Sequence, residues 1–340
     1  MSAFRRAILM ASCCACTVAG AQQTADAPPG VALPAVSQGL LFGAFKVLAS
    51  DSMEGRRAGS PGGERARNFI VRQLAEIGVQ PFVPAYVQKF SGRSQFGSHL
   101  MPPYGDGGVL SRGEVETYPW VDGANVLGVV RGTEHPGRFI VVSAHYDHLG
   151  VARGAIYSGA DDNASGSAGI LAIADFIANN PPKNSIIFAW FDAEEEGLLG
   201  SNAFVGHLPM KKDSVIADVN LDMVSRSAKE EIFLAGAHHW PVLQPFVDSI
   251  DALHVAHIRQ GHDSPGSDDW TKRTDSGSFD QEGIPYIHFG VEEHADYHRP
   301  TDTILHSQPD FYYNNVLLAA QMVRLIDASA DTVRKYKHRQ

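Results

Sequence analysis

Cysteine is nearly missing from this chain of 340 residues, and its placement excludes more than its scarcity: Cys13, Cys14 and Cys16 are the only three. Past residue 16 no disulfide and no thiolate metal site can form, so any ion held by the body of the protein must rest on histidine and carboxylate. Basic side chains are also short, 28 against 38 acidic ones, for a formal charge of −10. That balance makes nucleic acid and anionic membranes poor partners. No apolar run approaches the ~20 residues of a spanning helix, so no integral membrane span is expected. Internal repeats are absent too, and compositional bias is confined to a short Ala/Pro-rich stretch at 24–34.

The first residues have a pattern of their own. Arg5 and Arg6 precede an apolar run at 7–18, and Ala19-Gly20-Ala21 stands before Gln22. A charged start, a short apolar middle and a small-residue end are the parts of a secretory signal peptide. The expected organisation is therefore a signal peptide at 1–21, a flexible lead-in at 22–35 and one domain at 36–340, with the protein exported to the periplasm or secreted. Loss of Arg5 and Arg6 would leave the mature chain more acidic still.

Within the domain, helical spacing of apolar residues marks 39–48, 63–77, 165–178, 198–207, 241–253 and 310–328. Strand-like runs fall at 125–130, 139–143, 185–191, 215–221 and 284–289, and they are apolar with little alternation. Such strands, separated by helices, predict an α/β fold: a single domain with a central, mainly parallel twisted sheet and helices on both faces. The glycine-punctuated GRRAGSPG at 55–62 reads as a loop leading into a helix. Segments 82–123 and 259–282 are polar and irregular and read as surface excursions.

Chemistry gathers where the predicted strands end, which is where ligands bind in such sheets. The run at 138–144 breaks into His145, Tyr146, Asp147 and His148; the strand at 185–190 into Asp192, Glu194, Glu195 and Glu196; the strand at 215–221 into Asp222. Asp162 sits in a glycine-flanked loop before a helix, and His298 follows Tyr297. Taken singly each has an ordinary explanation: a turn acid, a core histidine, a solvated helix start. Together they form a His, Asp, Glu, Asp, His set suited to a pair of zinc ions. Two dications ~3.5–4 Å apart need a carboxylate between them, and Asp162 suits that role. His145 and Asp222 are expected on one ion and Glu195 and His298 on the other, with a bridging water or hydroxide. Adjacent Glu194 diverges from Glu195 and is left free as the general base, and Asp147 is expected to orient the His145 ring.

These stretches, SAHYDHLG at 143–150, GADDNASGSAG at 159–169, FDAEEEGLLGS at 191–201, NLDM at 220–223 and DYHRPTDT at 296–303, make the chain resemble the secreted di-zinc exopeptidases of metallopeptidase family 28. GRRAGSPG at 55–62 and GIP at 283–285 fit the same family, which includes bacterial aminopeptidases and, more distantly, glutamate carboxypeptidase. The resemblance extends from about residue 48 to the end. It implies the same five ligands and the same role for Glu194. It further implies a cis peptide after Asp162 and a Tyr297 hydroxyl that helps stabilise the tetrahedral intermediate. One departure is visible: many relatives carry a histidine in a Ser-Asp-His run before the GIP strand, where this chain has Thr274-Asp275-Ser276.

The expected function is a zinc aminopeptidase holding two Zn2+ per chain and acting on a peptide with a free N-terminus, Glu194 taking the proton of the zinc-bridging water. A carboxypeptidase, a glutaminyl cyclase-like acyltransferase and a non-catalytic binding protein are the alternatives on the same fold.

Overall fold

The computed structural model describes residues 33–95, 120–152, 154–264, 266 and 268–337. The leader expected at 1–21 and most of the lead-in expected at 22–35 lie outside the described residues. A nine-stranded mixed sheet forms the centre. Its strands are β1 (Gln80–Pro81), β2 (Val87–Arg93), β3 (Trp120–Val130) and β4 (His135–His145); a separate hairpin pairs β5 (Gly150–Ala152) with β6 (Ala155–Tyr157). The sheet continues with β7 (Asn184–Phe191), β8 (Val215–Leu221), β9 (Glu231–Ala235), β10 (His257–Gln260) and β11 (Tyr286–Gly290). The order is β1-β3-β7-β4-β8-β11-β9-β10, with β2 also on β3.

The centre of this sheet, β7-β4-β8-β11, is parallel, and the antiparallel pairs lie toward the edges, β3 on β7 and β9 on β11. Every residue of β7 and β8 is buried, which explains why they are mostly apolar with little alternation. Successive side chains still leave on opposite faces. Ile140, Val142, Ile186, Phe188 and Trp190 enter one apolar cluster, while Val141, Ile187, Ala189 and Phe191 enter another. The larger cluster is covered by α1 (Gln38–Leu48), α3 (Gly166–Asn179), α5 (Gln244–Asp251) and α7 (Pro309–Ala328); the smaller by α4 (Leu199–Gly206) and α6 (Ser276–Gln281). α2 (Pro61–Glu76) adds Ala66, Ile70 and Leu74 to the larger cluster, and α8 (Ala330–Lys337) adds Val333. Each such Ile, Leu or Val side chain removed from water contributes roughly 1.5–3 kcal/mol. α2 starts where a Ser-Pro pair says it should: Ser60 accepts from the Gly63 amide at 3.1 Å and Pro61 needs no partner for a missing N–H.

Two excursions differ from expectation. β2 pairs with β3 from Val87↔Val126 to Arg93↔Trp120, so part of 82–123 is sheet; residues 96–119 lie outside the described residues. The segment at 259–282 turns inward at its second half, where Trp270, Thr271, Asp275, Ser276 and Phe279 are buried. The helix it contributes, α6, has six residues, too few for an apolar period to mark it in the sequence.

Candidate metal centre

Register brings the chemistry level. His145 on β4 pairs with Phe191 on β7, and Ser143 pairs with Asn220 on β8, so His145, the turn after Phe191 and Asp222 meet at one end of the sheet. The turn after β7 reverses through Ala193 at φ 58°. The Asp147 carboxylate clamps it, accepting from the amides of Glu194 at 3.0 Å and Glu195 at 3.4 Å. Asp147 thus does more than orient His145: the ring nitrogen Nδ1 lies 3.2 Å from the Asp147 main-chain carbonyl and 3.6 Å from its carboxylate.

The loop at 159–165 is fixed with equal care. Its amides at Asp161 and Asp162 donate to the Asp302 carboxylate at 3.1–3.2 Å, and Asp161 Oδ1 accepts from the Ser225 amide and hydroxyl. The Asp162–Asn163 peptide is cis, as the resemblance implied. From the early GRRAGSPG segment comes Arg56, fully buried, whose guanidinium donates to the carbonyls of Leu48, Tyr146, Ser158 and Gly159 at 2.6–2.8 Å. It ties the β4 end to the Asp162 loop. Gly55 beside it, at φ 62°, has no room for a side chain: a Cβ would stand 2.3 Å from the Tyr157 carbonyl.

Asp162 forks between two groups of donors. Oδ1 lies 3.2 Å from His145 Nε2, which is also 3.2 Å from Asp222 Oδ1. Oδ2 lies 3.0 Å from His298 Nε2, which is 3.2 Å from Glu195 Oε2. The five residues singled out in the sequence therefore meet in two clusters sharing Asp162. A sixth, His148, joins the Asp162, Glu195 and His298 cluster. Sequence reasoning gave it no role, although a histidine three places after His145 was a signal to weigh.

The donor set fits zinc-class ions. Donors at ~2.0–2.1 Å from a tetrahedral ion stand roughly 3.3–3.4 Å apart, close to the spacings above. His148 Nε2 is buried without a hydrogen-bond partner among the described residues, and His148 Nδ1 meets Glu195 Oε1 at 2.7 Å without the alignment of a hydrogen bond, a costly arrangement for buried polar atoms unless a cation joins them. The local field asks for positive charge. Burial opposes protonation of His298, yet Glu195 and Asp162 raise its pKa to about 11. Burial likewise opposes ionisation of Asp162, but hydrogen bonds from His145 and His298 hold it well below the usual carboxylate range.

Beside the clusters lies a cleft of about 80 Å³ lined by His145, Asp162, Asp222, Glu194 and Tyr297, with Trp270, Arg273, Thr274, His288 and Glu293 also in its lining. Burial, with Glu195 and Asp275 nearby, pushes Glu194 well above its ordinary value against the pull of His145. Burial does the same to the Tyr297 hydroxyl, with Asp162 and Glu195 adding to it. Tyr297 stacks on His298 with ring centroids 3.9 Å apart. The place of the relatives' histidine is taken by Thr274, Asp275 and Ser276, and another histidine, His288 on β11, lines the cleft. A larger depression elsewhere on the molecule, about 860 Å³ around Lys229, His254 and Asp310, contains none of these donors.

Comparison with known proteins places the chain in a family. An aminopeptidase of Pseudomonas aeruginosa (strain UCBPP-PA14) is 34% identical over 180 residues, covering 52% of this chain and 31% of that protein. Leucine aminopeptidase 2 of Trichophyton rubrum is 36% identical over 101 residues, 29% of this chain and 19% of the relative. The chain thus spans less than a third of the length of the curated relatives it matches. Among solved structures, a zinc aminopeptidase from Bacillus subtilis superposes with a TM-score of 0.65 at 17% identity over 85% of this chain and 95% of its own. A Zn-dependent exopeptidase from Parabacteroides distasonis gives 0.62 at 13% identity over 87% and 99%. These likenesses establish the zinc exopeptidase fold. The model of peptidase family M28 matches residues 125–323, which include all five sequence-identified donors together with His148 and Glu194, and the chain belongs to that family.

Proposed function

We propose that the protein is a zinc aminopeptidase holding two ions, one at His145, Asp162 and Asp222 and one at Asp162, Glu195 and His298. The forked placement of the Asp162 oxygens, 3.2 Å from His145 and 3.0 Å from His298, carries this reading. When bound, such ions polarise a carbonyl and acidify a water. The chain's own groups do the rest. Glu194, in the cleft but outside both donor clusters, takes the proton of the attacking water and passes it to the leaving amine. Tyr297 O–H donates to the oxygen on which charge develops. Asp147 keeps Glu194 and Glu195 pointing apart by holding both amides of their turn.

The carboxylates Glu194 and Asp222 at the cleft favour a substrate terminus that carries an ammonium, while Glu293 in the same lining is paired with Arg273. The test is a panel built on a leucine amide. Hydrolysis should fall by at least about a hundredfold on N-acetylation, the scale seen when a site built for a polar group loses it. Cleavage of the acetylated compound as fast as the free one would sink the aminopeptidase reading. Loss of activity on C-terminal amidation would favour a carboxypeptidase, and cyclisation of N-terminal glutamine without release of an amino acid a glutaminyl cyclase.

Export to the periplasm or the medium is part of the same reading, carried by Arg5, Arg6, the apolar run at 7–18 and Ala19-Gly20-Ala21. The mature protein should then show an intact mass beginning at Gln22. Full-length protein confined to the cytoplasm would contradict it.

A further inference from the structure

The two donor clusters are unequal. His145, Asp162 and Asp222 line the cleft, whereas His148, Glu195 and His298 do not. His148 is 1% exposed, and its Nδ1 stands 2.7 Å from Glu195 Oε1 and 3.7 Å from Asp162 Oδ2. Its ring meets that of His298 edge-on with centroids 5.6 Å apart. Neither His148 Nδ1 nor Glu195 Oε1 has a hydrogen-bond partner among the described residues, so the short approach between them lacks the alignment of a hydrogen bond. The backbone has been shaped around the ring as well. Gly159 adopts φ 51°, and a Cβ there would lie 2.4 Å from His148 Cγ and Cδ2. Two histidines and two carboxylates with their ligand atoms all within 4.8 Å of one another make four protein donors around one point.

We propose that His148 is a fourth protein ligand to the ion at Asp162, Glu195 and His298, so that one metal position is closed by protein while the other is open to the cleft. The inference rests on the two-ion reading and goes beyond it by making the pair inequivalent. A zinc-class ion with four protein ligands is complete and needs no water; one with three keeps a free place. In this chain the three-donor position at His145, Asp162 and Asp222 is the one that shares the cleft with Glu194. The closed position then serves to anchor Asp162 and to hold its ion tightly, and the open position is where substrate and water meet.

A rival account gives His148 a weaker role: its Nδ1–H would donate to Glu195 and merely position that ligand. Asparagine separates the two, because its amide can make that hydrogen bond but is a poor ligand for zinc. The metal-free full chain, its fold checked by circular dichroism, is titrated with Zn2+ against a chromophoric chelator, and separately with Co2+ while the visible absorption is followed. The wild type should take two ions in two steps of different affinity, the tighter giving the intense Co2+ absorption of a four-coordinate site. His148→Ala and His148→Asn should both weaken the tight step by more than about a hundredfold, beyond the 10–100-fold typical of losing a ligand's hydrogen-bond partner. Both should also change the Co2+ spectrum of that step, and the second step should move by less than about tenfold. Retention of the tight step in His148→Asn, or two equal steps in the wild type, would overturn the proposal while leaving the two-ion reading in place. A wild-type chain that takes up no ion would overturn both.

Discussion

Two histidines ten residues apart face opposite ways in their chemistry. His298, in the donor wall, is surrounded by Asp162 and Glu195, and although burial works against it, those carboxylates lift its pKa to about 11. His288, on β11, is buried too, but its Nδ1–H donates to the Asn220 carboxamide at 2.9 Å and burial lowers its pKa to about 4. Burial is common to both; the company differs. The donor wall concentrates negative charge that calls for a cation, whether proton or metal, whereas the partner His288 meets is a neutral carboxamide.

The largest effect should come from the donor wall. Glu194→Gln keeps the size of the side chain and removes the base, and turnover should drop by two to four powers of ten, about 3–5 kcal/mol of barrier. Because Glu194 belongs to neither donor cluster, metal content measured on the same preparation should stay at the wild-type level. If Glu194→Gln emptied a metal position while Glu195→Gln left both filled, the two glutamates would have exchanged roles, Glu194 holding the ion and Glu195 moving the proton.

The same contrast explains what could be read in advance. The donor wall was visible in the sequence because its residues follow strands. His145, Glu195 and Asp222 each follow an apolar run, and Asp162 and His298, ordinary when taken singly, complete a ligand set with them. Their supports were harder to see. Arg56 looks like a loop cation in GRRAGSPG, yet it is buried among four main-chain carbonyls, a role set by contacts some 90 to 103 residues away. His148 was hidden by its neighbour: its place three residues after His145 was a signal, but once His145 held the ligand role only the fold could show that the second histidine meets Glu195 and His298. The rest of the cleft lining was scarcely readable at all. Trp270, Arg273 and Thr274 come from an irregular segment that ends in a six-residue helix, and the sequence signal there is composition, which says surface. His288 lies on a strand that periodicity found, but the polar chain behind it is a tertiary fact: Asn220 Nδ2 donates to Ser143 Oγ at 3.0 Å, and Ser143 Oγ donates to Asp218 at 2.8 Å.

That chain supports the last and smallest expected effect, which sharpens the contrast through pH. In the folded protein His288 titrates near pH 4, below the ordinary value of 6.5. Between those values the unfolded chain binds more protons at this site than the folded one, so unfolding free energy rises with pH across the window. The stabilising contribution is therefore complete above about pH 6.5 and is lost as pH falls toward 4, and the shift sets its full size on the order of 3 kcal/mol. Several carboxylates titrate in the same window, so the informative quantity is a difference between two proteins at equal zinc concentration. His288→Gln keeps a hydrogen-bonding side chain and cannot be protonated. Denaturant unfolding should find it less stable than wild type at pH 7, since the ring fills its site better, with the gap narrowing steadily toward pH 4 as the wild type alone must exclude a proton. A gap that stays constant from pH 7 to pH 4 would mean that His288 does not titrate as a buried neutral group, and its contrast with His298 would fall with it.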